Sequence, residues 1–318
     1  MLSGLLSIHR VRAALLSGLV VLSGTAFGQT LVLNEVSNGP SGNAEYFEMA
    51  VVPVDPCTDE PCLDLRGWIF DDNNGAHSSN GPAPGCGRFN NDPLWSCVPL
   101  GTLIVVYNSG DANPSIPPED LSTTDGNCSI IVGSGNNAYL EYTNATPSIT
   151  DCVYPAGPWS TGGWSTCLMA NPGDCARVQD PDGCETSVVC YGNANGGPVI
   201  HIAGNGQRRV FFSSGDPAVQ GTWSYGCAAP AQCGTDDQTP GLPNNAGNAA
   251  YLAPFSVCAG VVLPAPLEVT ATNTNSCGCT GTADATATGS VAGYTFAWYD
   301  DAWVALGQNT AQATGLCA

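Results

Sequence analysis

The sequence contains no lysine, and its only basic residues are seven arginines, against 27 acidic residues. The net charge of -20 argues against nucleic acid as a partner, because binding to a phosphate backbone needs clusters of cations. Without lysine the chain also cannot form a Walker-type phosphate loop. Charged residues make up only 11%, so Asn, Ser, Thr and Gly must keep the surface polar, and these residues favour turns and strands over helices.

Histidine is also scarce, and only His77 and His201 follow residue 28. Neither belongs to an H-E-x-x-H zinc motif, and the G-x-S-x-G elbow of serine hydrolases is absent. His201 alternates with isoleucines, which predicts a strand position, and His77 lies among small polar residues typical of a loop. We therefore expect a protein that is not an enzyme.

Residues 1–28 are expected to be a secretory signal peptide. Arg10 and Arg12 precede a short apolar run, and small residues follow it up to Gly28. The run is too short to span a bilayer and no later stretch approaches that length, so we expect no transmembrane segment after signal removal. The mature chain is then secreted or held at the cell surface.

Export places the 16 cysteines in an oxidising compartment, where an even number predicts a disulfide framework. A metal-thiolate site is disfavoured, because paired C-x-x-C motifs are absent. Spacing does not fix connectivity, so nearest-neighbour pairing is the default expectation. The default pairs are Cys57–Cys62, Cys86–Cys97, Cys128–Cys152, Cys167–Cys175, Cys184–Cys190, Cys227–Cys233, Cys258–Cys277 and Cys279–Cys317.

Nine short apolar runs, separated by clusters of Gly, Pro, Asn and Asp, follow the signal. In one of them Phe47, Met49 and Val51 occupy alternate positions, which is the period of a half-buried strand. The runs are 31–36, 46–52, 67–70, 102–107, 138–142, 187–191, 199–203, 208–213 and 222–225. So many short strands with turn-rich connections predict an all-β sandwich or open barrel.

Two connections, 71–99 and 143–184, are unusually long for a compact domain and contain cysteines. We expect them to be loop insertions that disulfides staple to the sandwich. The prolines of 263–266 predict a stiff linker. The predicted organisation is a sandwich over 29–262, the linker, and a partial repeat over 267–318.

The first mature segments resemble the bacterial lamin-tail domain family. The segments that carry the resemblance are LVLNEV (31–36), EYFE (45–48), DLRGW (64–68), LGTLIVVY (100–107) and TPGLPN (239–244). The resemblance covers about 30–250 and implies an immunoglobulin-like β-sandwich. The two cysteine-containing insertions depart from the family pattern.

The tail resembles the SprB-like adhesin repeats of the large surface proteins of gliding bacteria. The segments GTADATA (281–287), GYTFAW (293–298) and GLCA (315–318) carry this resemblance. In that family the pattern continues into a further strand, so the resemblance implies a partial, second immunoglobulin-like β repeat.

Paired carboxylates could cleave glycosidic bonds, one as acid and one as nucleophile or base. Glu35 and Glu48 are the candidates, because both lie in early predicted strands. The lamin-tail resemblance assigns them to a structural motif instead, and Asn34 and Glu35 can hydrogen-bond neighbouring backbone. We favour the structural role.

Acidic turns make Ca²⁺ the candidate cofactor, because calcium takes about six to eight oxygen ligands. The candidate ligands are Asp71, Asp72 and Asn73 in one segment and Asp180, Asp182 and Glu185 in another. Neither segment has EF-hand spacing, and Asp and Asn are also the ordinary residues of tight turns. The sequence leaves both interpretations open.

Trp95, Trp159, Trp164 and Tyr154 lie in the predicted insertions. Aromatic residues in loops either stack on sugars and anchor partners or pack into a small core. We favour the core role here and keep ligand binding as the alternative.

These observations predict a non-catalytic extracellular or cell-surface module for adhesion or surface assembly, the N-terminal part of a longer protein. The resemblances imply a bacterial outer surface. The expected partners are an extracellular glycan or protein, or copies of the chain itself. The alternatives are an accessory domain of a secreted hydrolase, such as a nuclease or phosphatase, and a subunit of an extracellular fibre.

Overall fold

The computed structural model describes residues 29–54, 61–72, 84–122, 124–145, 152–194, 199–256, 268–274, 280–288, 296–298 and 305–316. The predicted signal peptide lies outside these residues. The chain divides into two compact units, one spanning Phe27–Val261 and the other including Val262–Ala318. No helix within the described residues is long and apolar enough to cross a membrane.

The first unit consists mainly of short strands. In chain order they are β1 (Gln29–Ser37), β2 (Tyr46–Pro53), β3 (Cys62–Leu63), β4 (Ile69–Asp71), β5 (Cys86–Phe89), β6 (Val98–Pro99), β7 (Leu103–Tyr107), β8 (Ser129–Gly133), β9 (Leu140–Thr143), β10 (Gly173–Gln179), β11 (Glu185–Gly192), β12 (Ile200–Ile202), β13 (Arg209–Ser213) and β14 (Trp223–Cys227). Two short helices follow, α1 (Pro230–Cys233) and α2 (Ala246–Leu252).

These strands form two six-stranded sheets, which we call the first and second sheets. The first sheet has the order β14-β13-β1-β2-β7-β8, and the second has the order β12-β11-β10-β4-β5-β9. All neighbours are antiparallel except the pairs β7–β8 and β11–β12. The prediction of an all-β sandwich is confirmed, and each of the nine predicted strands overlaps an observed one.

The core lies between the two sheets. Phe47 of β2 contacts Phe70 of β4, with ring centroids 6.4 Å apart, and Tyr191 of β11 stacks on Phe211 of β13 at 4.6 Å. All of these rings are at most 1% exposed. Alternate residues of each strand meet in this layer, as the period-2 pattern predicts.

The alternation in β2 predicts a strand with one solvated face, and this part of the prediction is wrong. Seven of its eight residues are buried. Leu252 of α2 packs with Ala50 and Val52 on the face that points away from the core. The segment that follows β14 therefore covers the outer face of the first sheet, and it also buries the polar residues there.

The second sheet takes strands from both cysteine-rich connections. The connection 71–99 supplies β5, and 143–184 supplies β10. Disulfides also tie these stretches, since Cys62 is bonded to Cys97 and Cys152 to Cys184. The stretches therefore complete the sandwich as well as carrying its cross-links.

Sequence proximity does not select most of the disulfide partners. Within the described residues the disulfides are Cys62–Cys97, Cys152–Cys184, Cys175–Cys190 and Cys227–Cys233. Cys175 and Cys190 are direct partners on β10 and β11, which places their Cα atoms 4.0 Å apart. Of the default pairs only Cys227–Cys233 is confirmed.

Five default pairs are wrong, because at least one member of each is bonded elsewhere: Cys57–Cys62, Cys86–Cys97, Cys128–Cys152, Cys167–Cys175 and Cys184–Cys190. Cys86 is instead buried as a thiol in β5, and Cys128 is disulfide-bonded. Cys57, Cys258, Cys277, Cys279 and Cys317 lie outside the described residues.

The second unit contains a three-stranded antiparallel sheet. Its strands are β15 (Glu268–Thr274), β16 (Gly281–Thr288) and β17 (Gln312–Leu316), in that order across the sheet. Trp298 and Leu306 are joined by a backbone hydrogen bond ahead of β17.

Candidate functional site

Two glutamates are buried side by side on the outer face of the first sheet. Glu35 and Glu48 are direct partners on β1 and β2, and both are 0% exposed. A β-bulge at Asn34 separates this pair from the pair of Leu33 with Met49. Without the bulge, strict alternation would turn Glu35 into the core beside Leu33; with it, Glu35 shares the face of Glu48.

Glu35 binds the loop that follows α1. Its Oε1 accepts a hydrogen bond from the Thr239 backbone N–H at 3.1 Å, and its Oε2 accepts one from the Thr239 hydroxyl at 2.8 Å. The Tyr46 hydroxyl donates to the same Oε1. Burial raises the pKa of Glu35 to about 7, although these hydrogen bonds oppose the increase.

Glu48 binds the same loop two residues further on. Its Oε2 accepts a hydrogen bond from the Gly241 backbone N–H at 2.6 Å, and its Oε1 accepts one from the Asn34 side-chain amide at 2.8 Å. Burial, followed by the charge of Glu35, raises the pKa of Glu48 well above its ordinary value. All four carboxylate oxygens of the two residues are therefore engaged within the chain and shielded from solvent.

This arrangement gives the two glutamates a structural use. They join β1 and β2 to the 239–241 loop, which we call the carboxylate latch (Glu35, Glu48, Thr239 and Gly241). A glycosidase needs its carboxyl groups in contact with substrate and water. In this structure neither group is open to either.

A third buried glutamate organises the loops at one end of the sandwich. Glu45, which is 1% exposed, precedes β2 and accepts hydrogen bonds from the Trp164 indole N–H and, at 3.0 Å, from the Met169 backbone N–H. The Trp164 ring packs on Phe47, with centroids 5.2 Å apart. Burial raises the pKa of Glu45 to about 8. Glu45 thereby holds the 164–169 loop against the core.

Beside this loop lies a cleft of about 400 Å³, which we call the loop-end cleft. It is formed where the chain leaves β7 and β8 and meets the loop that Glu45 holds. Its lining residues are Asn108, Ser109, Gly110, Ser134, Gly135, Gly163, Trp164, Ser165 and Leu168.

Hydrogen bonds among the lining residues fix the shape of the cleft. Asn108 accepts from the Gly110 N–H at 3.0 Å and donates to the Asn43 carbonyl at 2.8 Å. Ser134 accepts from the Ser109 N–H at 3.2 Å. These are side-chain bonds to loop backbone, so the cleft is shaped before any ligand arrives.

The chemistry of the loop-end cleft is neutral. The residues that line it contribute amides, hydroxyls, backbone and apolar surface, and none of them carries a charge. Leu168 is 49% exposed and gives the cleft an apolar contact surface. A cleft of this kind suits an uncharged ligand that has both hydroxyl groups and an apolar face.

The first predicted calcium segment lies at the end of β4. Asp71 is 0% exposed and Asp72 is 6% exposed. Burial raises the pKa of Asp71 to about 7 and that of Asp72 to about 9, and Arg177, the partner of Asp71 on β10, opposes the first increase. Asn73 lies outside the described residues.

The second calcium segment is the turn between β10 and β11. Asp180 Oδ1 accepts hydrogen bonds from the Asp182 N–H at 3.0 Å and the Cys184 N–H at 2.9 Å. Glu185 forms an ion pair with the buried Arg177 at 2.5 Å. Where the structure describes the chain, no three His, Cys, Asp or Glu side chains are grouped so as to hold a metal ion. Calcium binding stays a prediction.

Trp95 and Trp164 are 0% and 4% exposed, so they are packed as the sequence favoured, but they belong to the main core and not to a separate small core of the loops. The Arg88 guanidinium lies over the ring of Trp159, and its central carbon is 4.2 Å from the ring centroid. The Tyr154 hydroxyl donates to the Gly67 carbonyl at 2.8 Å. His201, in β12 as predicted, has Nε2 3.2 Å from the Gly192 carbonyl oxygen.

Sequence reasoning missed Glu45, Asn108, Ser134 and Leu168. The cleft joins loops that are far apart in the chain, and each of these residues is of an ordinary type for a loop. Glu45 lies in the EYFE segment (45–48) that carries the lamin-tail resemblance, but the sequence assigned it no role.

No known protein family, curated protein or solved structure matches this chain. The resemblances to lamin-tail domains and to SprB-like repeats therefore stay predictions.

Proposed function

We propose that this chain is a non-catalytic extracellular module that binds a neutral glycan in the loop-end cleft and thereby serves adhesion at a cell surface. The observation that carries the proposal is the preformed, uncharged cleft with Leu168 exposed at its side. Sugars combine hydroxyl groups with apolar ring faces, and amides, hydroxyls and an apolar side chain complement both.

The charge of the protein supports a neutral ligand. The chain carries a net charge of -20, which repels anionic glycans, and none of the lining residues supplies a positive charge to bind them. A cationic ligand would find no carboxylate in the lining. The selectivity of the cleft therefore rests on shape and hydrogen bonding.

The non-catalytic part of the proposal rests on the carboxylate latch. Glu35 and Glu48, the pair of acids that the sequence offers for glycosidase chemistry, are 0% exposed and accept hydrogen bonds from the 239–241 loop. The extracellular part is supported by the disulfides, which persist in oxidising compartments.

The test is a binding screen of the full chain against neutral glycans, anionic glycans and extracellular-matrix proteins, with and without calcium. Leu168→Asp places a charge in the cleft, and Val219→Asp introduces the same charge at an apolar residue of nearly equal exposure that does not line the cleft. We expect wild type and Val219→Asp to bind a neutral glycan and Leu168→Asp to bind it at least about tenfold more weakly.

Equal binding by both variants would place the ligand elsewhere and contradict the assignment of the cleft. Absence of glycan binding with and without calcium would contradict the proposed function. Binding only in calcium would show that a metal ion takes part, and Asp71, Asp72, Asp180, Asp182 and Glu185 would then be the residues to vary.

A further inference from the structure

At the β17 edge of the sheet in the second unit, side chains of the same chain bind the outward backbone groups. β17 is the terminal strand of the described sheet β15-β16-β17. In an antiparallel edge strand, alternate residues point their N–H and C=O groups away from the neighbouring strand. Ala285 of β16 donates to the Ala311 carbonyl, and Ala313 is the partner of Ala283. Thr314 therefore presents its backbone groups to the outside.

The Gln308 carboxamide satisfies both of these outward groups. The Thr314 N–H donates to Gln308 Oε1 at 2.8 Å, and Gln308 Nε2 donates to the Thr314 carbonyl at 2.9 Å. The same pair of bonds is what a residue of an added strand would make. The Thr310 hydroxyl binds the next outward carbonyl, that of Gln312, at 2.6 Å.

We propose that the edge of β17 is a strand-acceptor site for a second copy of this chain, and that Gln308 holds the site closed. The inference is independent of the loop-end cleft, because every residue in it belongs to the second unit. It concerns the assembly of the chain rather than its ligand.

The composition of the edge favours a second copy as the occupant. The residues of β17, Gln312–Leu316, carry no charge or proline that would block pairing, and ahead of the bulge at Gly315 the edge offers the outward groups of Gln312 and Thr314. Two identical strands related by a two-fold axis pair antiparallel and are self-complementary. A chain with a net charge of -20 pairs with itself most readily where no carboxylates face each other, and this edge meets that condition.

The first experiment compares the full chain with Gln308→Met, which keeps the length of the side chain and removes both hydrogen bonds. The matched control is Gln312→Met, because the Gln312 amide binds Asp284 rather than the outward backbone. Amide hydrogen exchange at Thr314 and the molar mass from light scattering are measured over a concentration series. Gln308→Glu, which keeps an acceptor for the Thr314 N–H but offers no donor, serves as a second, milder variant.

We expect Gln308→Met to exchange the Thr314 amide about tenfold faster than wild type and to form dimers as concentration rises, with Gln308→Glu between them. Gln312→Met and wild type should remain monomeric. A synthetic peptide of residues 310–316 should bind Gln308→Met about tenfold more tightly than wild type, and a scrambled peptide should bind neither.

Three results would overturn the proposal. The first is an unchanged exchange rate of the Thr314 amide in Gln308→Met, which would show that Gln308 does not close the edge. The second is a monomeric Gln308→Met chain that also fails to bind the peptide. The third is a wild-type chain that dimerises through β17 as readily as Gln308→Met, which would show that Gln308 does not hold the site closed.

Discussion

Glu35 and Glu48 face each other across β1 and β2, and both bind the 239–241 loop. Two carboxylates that are 0% exposed and adjacent cannot both be ionised cheaply, because burial and mutual repulsion disfavour the charged forms. Burial therefore favours protonation of these two groups in the folded chain. The protonation of Glu35 and Glu48 therefore affects the stability of the folded domain.

The first prediction is that the protein becomes less stable as the pH rises from about 4.5 to about 8. The folded pKa of Glu35 is raised to about 7 and that of Glu45 to about 8, against an ordinary value of 4.5. Between these values the folded chain keeps protons that the unfolded chain has released, so the free energy of unfolding decreases with rising pH, and Asp72, whose pKa is about 9, continues the decrease above pH 8. Thermal unfolding midpoints across this range measure the effect.

The variant Glu35→Gln distinguishes the contribution of the latch to this pH dependence from that of the other buried acids. Glutamine keeps an acceptor for Thr239 and Tyr46 but has no proton to lose, so the variant should show a flatter dependence of the midpoint on pH. Glu119→Gln, at an exposed residue, should keep the wild-type slope. A wild-type midpoint that rises toward pH 8 would refute the proposed pH dependence.

The second prediction concerns the loop side of the latch. Thr239→Val keeps the shape of the side chain but removes the donor to Glu35 Oε2, which is 2.8 Å away in the wild type. The orphaned buried oxygen should cost about 1–3 kcal/mol of unfolding free energy. Thr235→Val makes the same change at an exposed hydroxyl, so urea denaturation should show a loss within about 0.5 kcal/mol. Equal losses in the two variants would argue against the latch.

The third prediction separates backbone strain from steric overlap. Gly192 and Gly204 both have left-handed backbones, with φ of 67° and 105°. A Cβ at Gly192 would overlap the Pro172 carbonyl oxygen, whereas one at Gly204 meets nothing within 4 Å. We expect Gly204→Ala to lose about 1–2 kcal/mol from strain alone and Gly192→Ala to lose more than about 3 kcal/mol. Denaturation midpoints that are the same for both variants would contradict this account.

The fourth prediction is the disulfide map. Peptide mapping of the unreduced protein should recover Cys175–Cys190, whose members are direct partners on β10 and β11, and Cys152–Cys184, which ties Cys152 to the turn between those strands. Replacing both Cys175 and Cys190 with serine opens a 15-residue link and should cost about 3 kcal/mol. Recovery of a Cys184–Cys190 peptide would show that the pairing of β10 and β11 is wrong.

Much of the sandwich follows from the alternating pattern of the sequence. In β2 this pattern predicts which residues face the core, but it does not predict what covers the other face. Phe47, Met49 and Val51 point into the core as predicted. The pattern could not show that α2 and the 239–241 loop cover the other face, because that burial depends on a segment about 200 residues away. β10 escaped prediction because Arg177 interrupts its apolar residues, although the sheet buries that arginine with Glu185 as its ion-pair partner.

The candidate site was less predictable than the fold. Glu35 and Glu48 were identifiable as an unusual pair of acids in strands, but the bulge at Asn34 that places them together has no clear sequence signature. The loop-end cleft depends on where three distant connections meet, and spacing along the chain carries no information about that meeting point. The prediction of the disulfide partners fails for the same reason.

Glycan binding in the loop-end cleft is tested by a hydrogen-exchange footprint of the full chain with the neutral glycan that binds most tightly in the screen. We expect slower amide exchange at 108–110, 134–135 and 163–168, and no change at the 239–241 loop. Protection confined to other parts of the sandwich, with these three segments unchanged, would contradict the assignment of the loop-end cleft as the binding site.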